Sequence, residues 1–502
     1  MAAGNEGLRL EERFLSSWQD KNTSNCIWWQ GEWWSWNRLN ALADDCQKKI
    51  ADAGFGRGER IAVMLPNSPM VLALSIACWR LGGAVATLNV RTGPVNLLST
   101  IKMLDVSAVF VTEEKYVRAL EVGEGTEIPV IAASLDLPLK NCFMRRATSD
   151  KDETAMIFST SGTSGLPKAV PCTHQNILAN IDDVPDAAPG LLDESSVFLN
   201  VLPNFHTFGF NMGGLLPLLS GIRQVLVPSF VPVDNTVAAI KNSGANIIIA
   251  VPTVMAFLLG ALAKKDERIR GIKFIISGGD RLNTEMDSRC IEYLGTGILE
   301  GYGLTECSPV VAFNSSMQER RIGTVGRKFK SLELEIRDRE GSLLGLHDEG
   351  VLWIKGPSVV SGYFRDAANT AERFKNGWFN TGDVVKIDDD GFIKIVDRAT
   401  DIIIVGGFNV YPQEVEAVLN THPAVRSAVA VGEPNNITGE LVKVFVILND
   451  SCEVTTKELT NFCKKRLAHY KVPRKMAFVT EYPISAAGKI LRRELRKIKI
   501  DK

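Results

Sequence analysis

The chain has 502 residues, with 57 basic against 58 acidic side chains and a formal net charge of −1. That length asks for more than one domain at ~100–200 residues each, and the near-zero charge balance gives no electrostatic reason to bind nucleic acid. Nine cysteines and five histidines are scattered without a Cys-x-x-Cys pair, which argues against a zinc site or a disulfide framework and for reduced thiols in a cytoplasmic protein.

Near the start, Asn5, Glu6, Glu11 and Glu12 stand where a secretory signal would need an apolar core. Residues 27–36 hold two aromatic runs on either side of Gln30 and Gly31, which predicts a β-hairpin. Packing explains its tryptophans better than base stacking does, because no basic residues are interleaved. Ser35 is a candidate N-cap for a helix over 36–51. Residues 60–65 read as a buried strand, 69–80 as a helix and 84–89 as a second strand, the parallel strand–helix–strand pattern. Within the apolar run 70–88, Arg80, Gly82 and Gly83 favour a helix passing into a strand over a membrane span. Further strands are expected at 108–111, 130–133, 155–158, 222–228, 245–252 and 273–277.

Past residue 330 the texture changes to short strands at 332–336, 350–354, 383–387 and 391–396, separated by Asp/Gly turns. After Arg398 comes a compact α+β segment, with helices at 412–419 and 456–467 and strands at 425–431 and 442–447. The expected fold class is therefore α/β: a large N-terminal multi-sheet α/β domain over 1–397, and a small C-terminal α+β domain over 398–502, whose mobility is implied by the resemblance given below. Residues 489–499 predict a basic amphipathic helix, read as a solvated face, with peripheral membrane contact as the alternative.

The chemistry centres on residues 160–168. Thr160, Ser161, Gly162, Thr163, Ser164, Gly165 and Lys168 follow the strand 155–158. Glycines let the main chain approach a ligand, backbone and hydroxyl donors can converge on an anion, and lysine adds a point charge suited to phosphate. It is not a Walker motif, because Pro167 stands where the second glycine should be; a plain Ser/Thr/Gly loop is the competing reading. Glu300, Gly301, Tyr302, Gly303, Leu304, Thr305 and Glu306 put an aromatic ring on a glycine turn, ahead of a hydroxyl and a carboxylate that suits Mg²⁺. Asp383, in a Thr-Gly-Asp turn, could accept from ribose hydroxyls or be a simple turn aspartate. Asp397 and Arg398 precede Gly406 and Gly407, which allow a hinge. Lys489 follows Gly488 in a loop and could reach into a cleft, although an isolated lysine there would be read as surface.

Taken in this order and spacing, these segments resemble the acyl-adenylate-forming superfamily of acyl-CoA synthetases, amino-acid adenylation domains and beetle luciferases, over nearly the whole chain. The resemblance implies that loop 160–168 holds the β- and γ-phosphates of ATP. It assigns Gly278, Gly279 and Asp280 to adenine, Tyr302 to stacking, Thr305 to the α-phosphate, Glu306 to Mg²⁺, Asp383 and Arg398 to ribose, and Lys489 to adenylation. It also implies a rotation of the small domain about Thr400, where the family more often has Asp or Lys, after which Gly406 and Gly407 line the thiol's tunnel. Ala169 replaces a common glycine.

Amino-acid-activating relatives carry an aspartate in the segment matching 203–209, whereas here His206 stands among aromatics. That resembles acyl-CoA synthetases, in which such a residue gates the acyl pocket. Phe208, Gly209 and Met212 then belong to apolar walls with small residues, suited to an alkyl chain. Gly303 is assigned to the same substrate site. The implied reaction activates a fatty acid with ATP and passes the acyl group to CoA, or to the phosphopantetheine of a holo-acyl-carrier protein as the alternative; a stand-alone amino-acid adenylation enzyme ranks below both.

Overall fold

In a computed structural model, the structure describes residues 7–89, 94–112, 127–135, 139, 142–149, 153–160, 168–280, 282, 284–338, 340–399, 401–406, 408–435, 438–450, 452–484 and 490–500. The chain divides into two compact units: residues 1–334, 354–379 and 390–393, and residues 335–353, 380–389 and 394–502.

Two sheets organise the first unit. The larger runs in the order Arg327–Lys328, Val310–Phe313, Ile298–Gly303, Phe274–Ser277, Ile247–Ala250, Val197–Asn200, Arg223–Leu226, Asn25–Trp29 and Glu32–Ser35. From Ile298–Gly303 across to Asn25–Trp29 its strands are parallel. Such strands are covered on both faces and read as unbroken apolar runs, as Ile247, Ile248, Ile249 and Ala250 do. On one face Val197, Leu199, Val225, Ile248, Ile275 and Ile298 pack with Leu258, Leu259 and Leu262 of helix Pro252–Lys264. The aromatic hairpin forms as expected, with Gln30 and Gly31 both at positive φ, and Ser35 caps helix Trp36–Asp52 by accepting from Arg38 N–H.

The six-stranded sheet has the order Val130–Ala132, Ala108–Val111, Arg60–Met64, Ala84–Thr87, Thr154–Thr160, Lys168–Thr173. All its pairs are parallel except the last, a hairpin whose connection is residues 161–167, outside the described residues. Helix Pro69–Arg80 is buried along almost its whole length, and the chain leaves it through Gly82 at φ +74°. No helix among the described residues is long and apolar enough to cross a membrane.

A further sheet runs Glu333–Arg337, Gly350–Lys355, Trp378–Ile387, Phe374–Lys375, with Ile393–Arg398 beside Trp378–Ile387. The second unit contains its own sheet, Phe408–Val410, Ile403–Val405, Gly439–Leu448, Val425–Asn435, with Lys475–Phe478 parallel to Gly439–Leu448. Helices Pro412–Asn420 and Thr456–Lys464 bring Val415, Leu419, Leu459 and Cys463 into one core with Val425, Ala430, Val442, Val444 and Val446. The basic C-terminal helix spans Arg492–Lys497 and seats Leu495 against Val429, Val431 and Phe445. Its Arg492 is tied to Glu416 at 2.6 Å, so this face is partly used for packing within the unit.

Candidate active site

In the first unit, Thr160 ends one strand of the hairpin and Lys168 begins the other, and the two are register partners. The ammonium of Lys168 lies 4.7 Å from the centre of the Tyr363 ring. The Tyr363 hydroxyl donates to Glu306 Oε1 at 2.8 Å. Glu306 is 8% exposed and Tyr363 6%. The predicted phosphate lysine and the predicted Mg²⁺ carboxylate are thus brought together through a tyrosine that the sequence reading missed. Ser361, Gly362 and Tyr363 carry no local signal for this role, which depends on a contact 57 residues away in sequence.

Glycines 301 and 303 suggested a turn, but Glu300, Gly301, Tyr302 and Gly303 are the end of strand Ile298–Gly303. The glycines serve close approach between backbones. A Cβ at Gly278 would lie 3.0 Å from Gly301 O, and one at Gly301 3.1 Å from Phe313 Cδ2. Gly279, at φ +83°, turns the chain after strand Phe274–Ser277 and leaves Asp280 exposed. Thr305 and Glu306 begin a single 3₁₀ turn, Thr305–Cys307.

Two fully buried asparagines hold that turn. Asn180 donates to Val310 O at 2.7 Å and Cys307 O at 3.3 Å, and accepts from Val310 N–H at 3.1 Å. Asn211 donates to Ser308 O at 3.2 Å. A polar residue among Ile177, Leu178 and Ile181 on the inner face of helix His174–Asp182 was the available sequence signal for Asn180. Asn314 similarly donates to Glu300 O at 3.1 Å and Thr324 O at 2.9 Å.

His206 starts the apolar segment. Its carbonyl accepts from Phe210 N–H at 2.9 Å, and its ring lies 4.6 Å from that of Phe205. Phe208–Leu215 is a π-helix, and Gly209, Phe210, Met212, Gly213 and Gly214 are buried within it. A Cβ at Gly209 would overlap Pro203 O and come within 2.9 Å of Leu202 O, so only glycine permits this close seat. Phe210 meets Phe158, beside the hairpin, edge-on at 6.0 Å.

In the second unit, Asp383 is 2% exposed and lies inside strand Trp378–Ile387, where the sequence placed it at the junction of a Thr-Gly-Asp turn and a strand over 383–387. Arg398 Nε is 2.6 Å from Asp383 Oδ1, so the predicted ribose pair is a pair in space. Thr381 donates to Leu352 O at 2.7 Å and accepts from Asp383 N–H at 3.0 Å, while Gly382 O accepts from Ala399 N–H at 2.8 Å. Asp397 is buried and accepts from Arg398 N–H at 2.7 Å and Gln413 N–H at 3.3 Å. Gly406, at φ +60°, ends strand Ile403–Val405. Ser161, Gly162, Thr163, Ser164, Gly165, Thr400, Gly407 and Lys489 lie outside the described residues.

Burial raises the Asp397 carboxyl from 3.8 to about 6, against the backbone donors and Arg492, which lower it. Because the folded value lies above the unfolded one, the folded chain holds the extra proton. This contribution is complete below about pH 4 and is lost as pH rises through about 6, amounting at most to ~3 kcal/mol. Urea unfolding of wild type and Asp397→Asn from pH 4 to 8 should therefore show wild type losing stability relative to the variant across that window; a constant difference would remove Asp397 as its source.

Among the described residues, no group of three or more His, Cys, Asp or Glu is placed to hold a metal ion. The buried carboxylate of Glu306 suits Mg²⁺, which usually takes one or two carboxylates and completes its shell with substrate phosphates and water. The chain's own donor set therefore fits an ion that arrives with a nucleotide.

Residues 16–364 match the family model "AMP-binding enzyme", and residues 414–489 match "AMP-binding enzyme C-terminal domain". A long-chain-fatty-acid–CoA ligase of Bacillus subtilis (strain 168) is 31% identical over 481 residues, covering 88% of this chain and 86% of that protein. The crystal structure of ATP-bound MatB from Rhodopseudomonas palustris superposes with a TM-score of 0.87 at 26% identity, covering 98% of this chain and 99% of that one. O-succinylbenzoate coenzyme A synthetase (MenE) from Bacillus subtilis, in complex with ATP and magnesium ion, gives a TM-score of 0.84 at 28% identity, covering 97% and 99%.

Proposed function

We propose, from the premise that this chain belongs to the AMP-binding enzyme family and is an AMP-forming acid–thiol ligase, that its acid is a medium- or long-chain fatty acid and its thiol that of CoA. The observation that carries the choice of acid is the buried apolar π-helix Phe208–Leu215 behind His206, with no carboxylate there to receive an amine. The fatty-acid relative supports it, while the succinylbenzoate relative defines a competing acid.

In this reading loop 160–168 grips the β- and γ-phosphates. Gly278, Gly279 and Asp280 receive adenine, Tyr302 stacks on it, and Asp383 with Arg398 binds ribose. Glu306 would hold Mg²⁺, which supplies charge neutralisation to the phosphates when bound. Thr305 steadies the α-phosphate, and Lys489 offsets the charge that grows there as the fatty carboxylate attacks and pyrophosphate leaves. His206 gates the acyl pocket, walled by Phe208, Gly209, Met212 and Gly303. The small domain, 398–502, then turns about Thr400, so that the thiol enters past Gly406 and Gly407. Its sulfur bonds to the acyl carbon as the thiol loses its proton and AMP leaves.

ATP–pyrophosphate exchange over fatty acids of graded length, 2-succinylbenzoate and amino acids tests the acid. Exchange with fatty acids above all others is expected, and exchange with only a dicarboxylic, aryl or amino acid would overturn it. Offering CoA and holo-acyl-carrier protein side by side tests the thiol, since label on the carrier protein alone would remove CoA.

A further inference from the structure

Residues 360–364 form a strap between the two halves of the phosphate site. Val360 N–H donates to Glu306 O at 2.9 Å, and Phe364 N–H donates to Ala169 O, next to Lys168, at 2.8 Å. Tyr363 lies between these ties, and its own N–H donates to Thr370 Oγ1 at 2.9 Å. Phe374 meets its ring edge-on at 5.6 Å. A ring fixed by backbone on both sides has little freedom to leave, and its two chemical faces meet two different charges: the hydroxyl a carboxylate, the π-face an ammonium.

We propose that Tyr363 is a positioning residue for the Mg²⁺-bound nucleotide. Its hydroxyl holds Glu306 by one oxygen, leaving the other to the cation, and its ring face aims Lys168 at the pyrophosphate end. This rests on the assignment of Glu306 and Lys168 above. Without Tyr363, Glu306 would have two rotatable oxygens and the ammonium a wider sweep. The cost is expected in how readily the ion and nucleotide seat, more than in the maximal rate.

Tyr363→Phe removes one oxygen and keeps the ring, whereas Tyr363→Leu removes both. The readout is Mn²⁺ binding to the full chain with a non-hydrolysable ATP analogue, followed by electron paramagnetic resonance, alongside the melting temperature of the free protein. Tyr363→Phe should raise half-saturating Mn²⁺ about 10-fold, as losing a hydrogen bond to a charged group would. Tyr363→Leu should weaken the analogue further, by about 5-fold at saturating Mn²⁺, through loss of the cation–π seat. Each should melt as wild type does to within a few degrees, and in steady state the KM for Mg·ATP should move more than kcat. Glu306→Gln is the reference arm. If it weakens Mn²⁺ binding and Tyr363→Phe does not, the role of Tyr363 is refuted. If neither variant changes Mn²⁺ binding, the assignment of Glu306 falls and the proposal with it.

Discussion

Replacing Lys489 with alanine is expected to remove acyl-adenylate formation almost completely, while thioester formation from supplied acyl-AMP survives. In the first half-reaction negative charge gathers on the α-phosphate as carboxylate oxygen enters and pyrophosphate departs, and a positioned cation lowers that barrier. Losing one preorganised donor of this kind costs about 10²–10³-fold in rate. The second half-reaction exchanges a thiol for AMP at a carbonyl carbon, where a lysine aimed at the α-phosphate has no part. Two of the chain's lysines thus have separate duties. In the proposed reading Lys168, whose ammonium lies against Tyr363, serves the pyrophosphate end, and Lys489 the reacting phosphorus. Residues 484 and 490, which flank it in sequence, are joined by an antiparallel bridge, and Leu491 N–H donates to Pro483 O at 2.8 Å. Pyrophosphate exchange reads the first half, and CoA-dependent consumption of synthetic acyl-AMP reads the second. Equal losses in both would refute the division of labour.

The elements that sequence located well are those whose signal is local. Ile247, Ile248, Ile249 and Ala250 could hardly be anything but a covered strand, and Gln30 with Gly31 between aromatic runs announced its hairpin. The candidate site residues stood out as an ordered set of short motifs. What could not be read was the environment that each motif enters. Gly301 and Gly303 look like turn residues because local propensity cannot distinguish a glycine needed for bending from one needed for contact. Asp383 was read at the edge between a turn and a strand, yet it is buried well inside a longer strand, and its neighbours Val384 and Val385 are buried as well. The roles of Tyr363, Asn180 and Asn211 are set by partners 57, 130 and 97 residues away, for which a single sequence gives no pairing information. The π-helical form of Phe208–Leu215 likewise has no signature in its composition.

The second large effect is expected from Gly303→Ala, a change of one methyl. Gly303 is register partner of Val310 at an irregularity in the pairing, and Leu304 N–H donates to Pro309 O at 2.9 Å. A Cβ at Gly303 would overlap that same oxygen and come within 2.9 Å of Pro309 C and 3.2 Å of Val310 Cα. These are backbone atoms, themselves held by Asn180 and Asn211, so no side chain can swing aside to make room. The strand end must move instead, carrying Tyr302 on one side and Thr305 with Glu306 on the other. A displacement on the order of 1 Å in a positioned catalytic group costs about 100-fold. Overpacking a rigid contact destabilises by roughly 1–3 kcal/mol in addition. Gly260→Ala provides the contrast. It lies within helix Pro252–Lys264 with nothing inside 4 Å of the added methyl, and should stabilise by about 0.5–1 kcal/mol with activity unchanged. Melting curves and pyrophosphate exchange on both variants separate the two outcomes. A Gly303→Ala enzyme that exchanges at the wild-type rate would mean that the strand end has room to yield, and that Gly303 does not fix the approach of Tyr302 and Glu306 to the nucleotide.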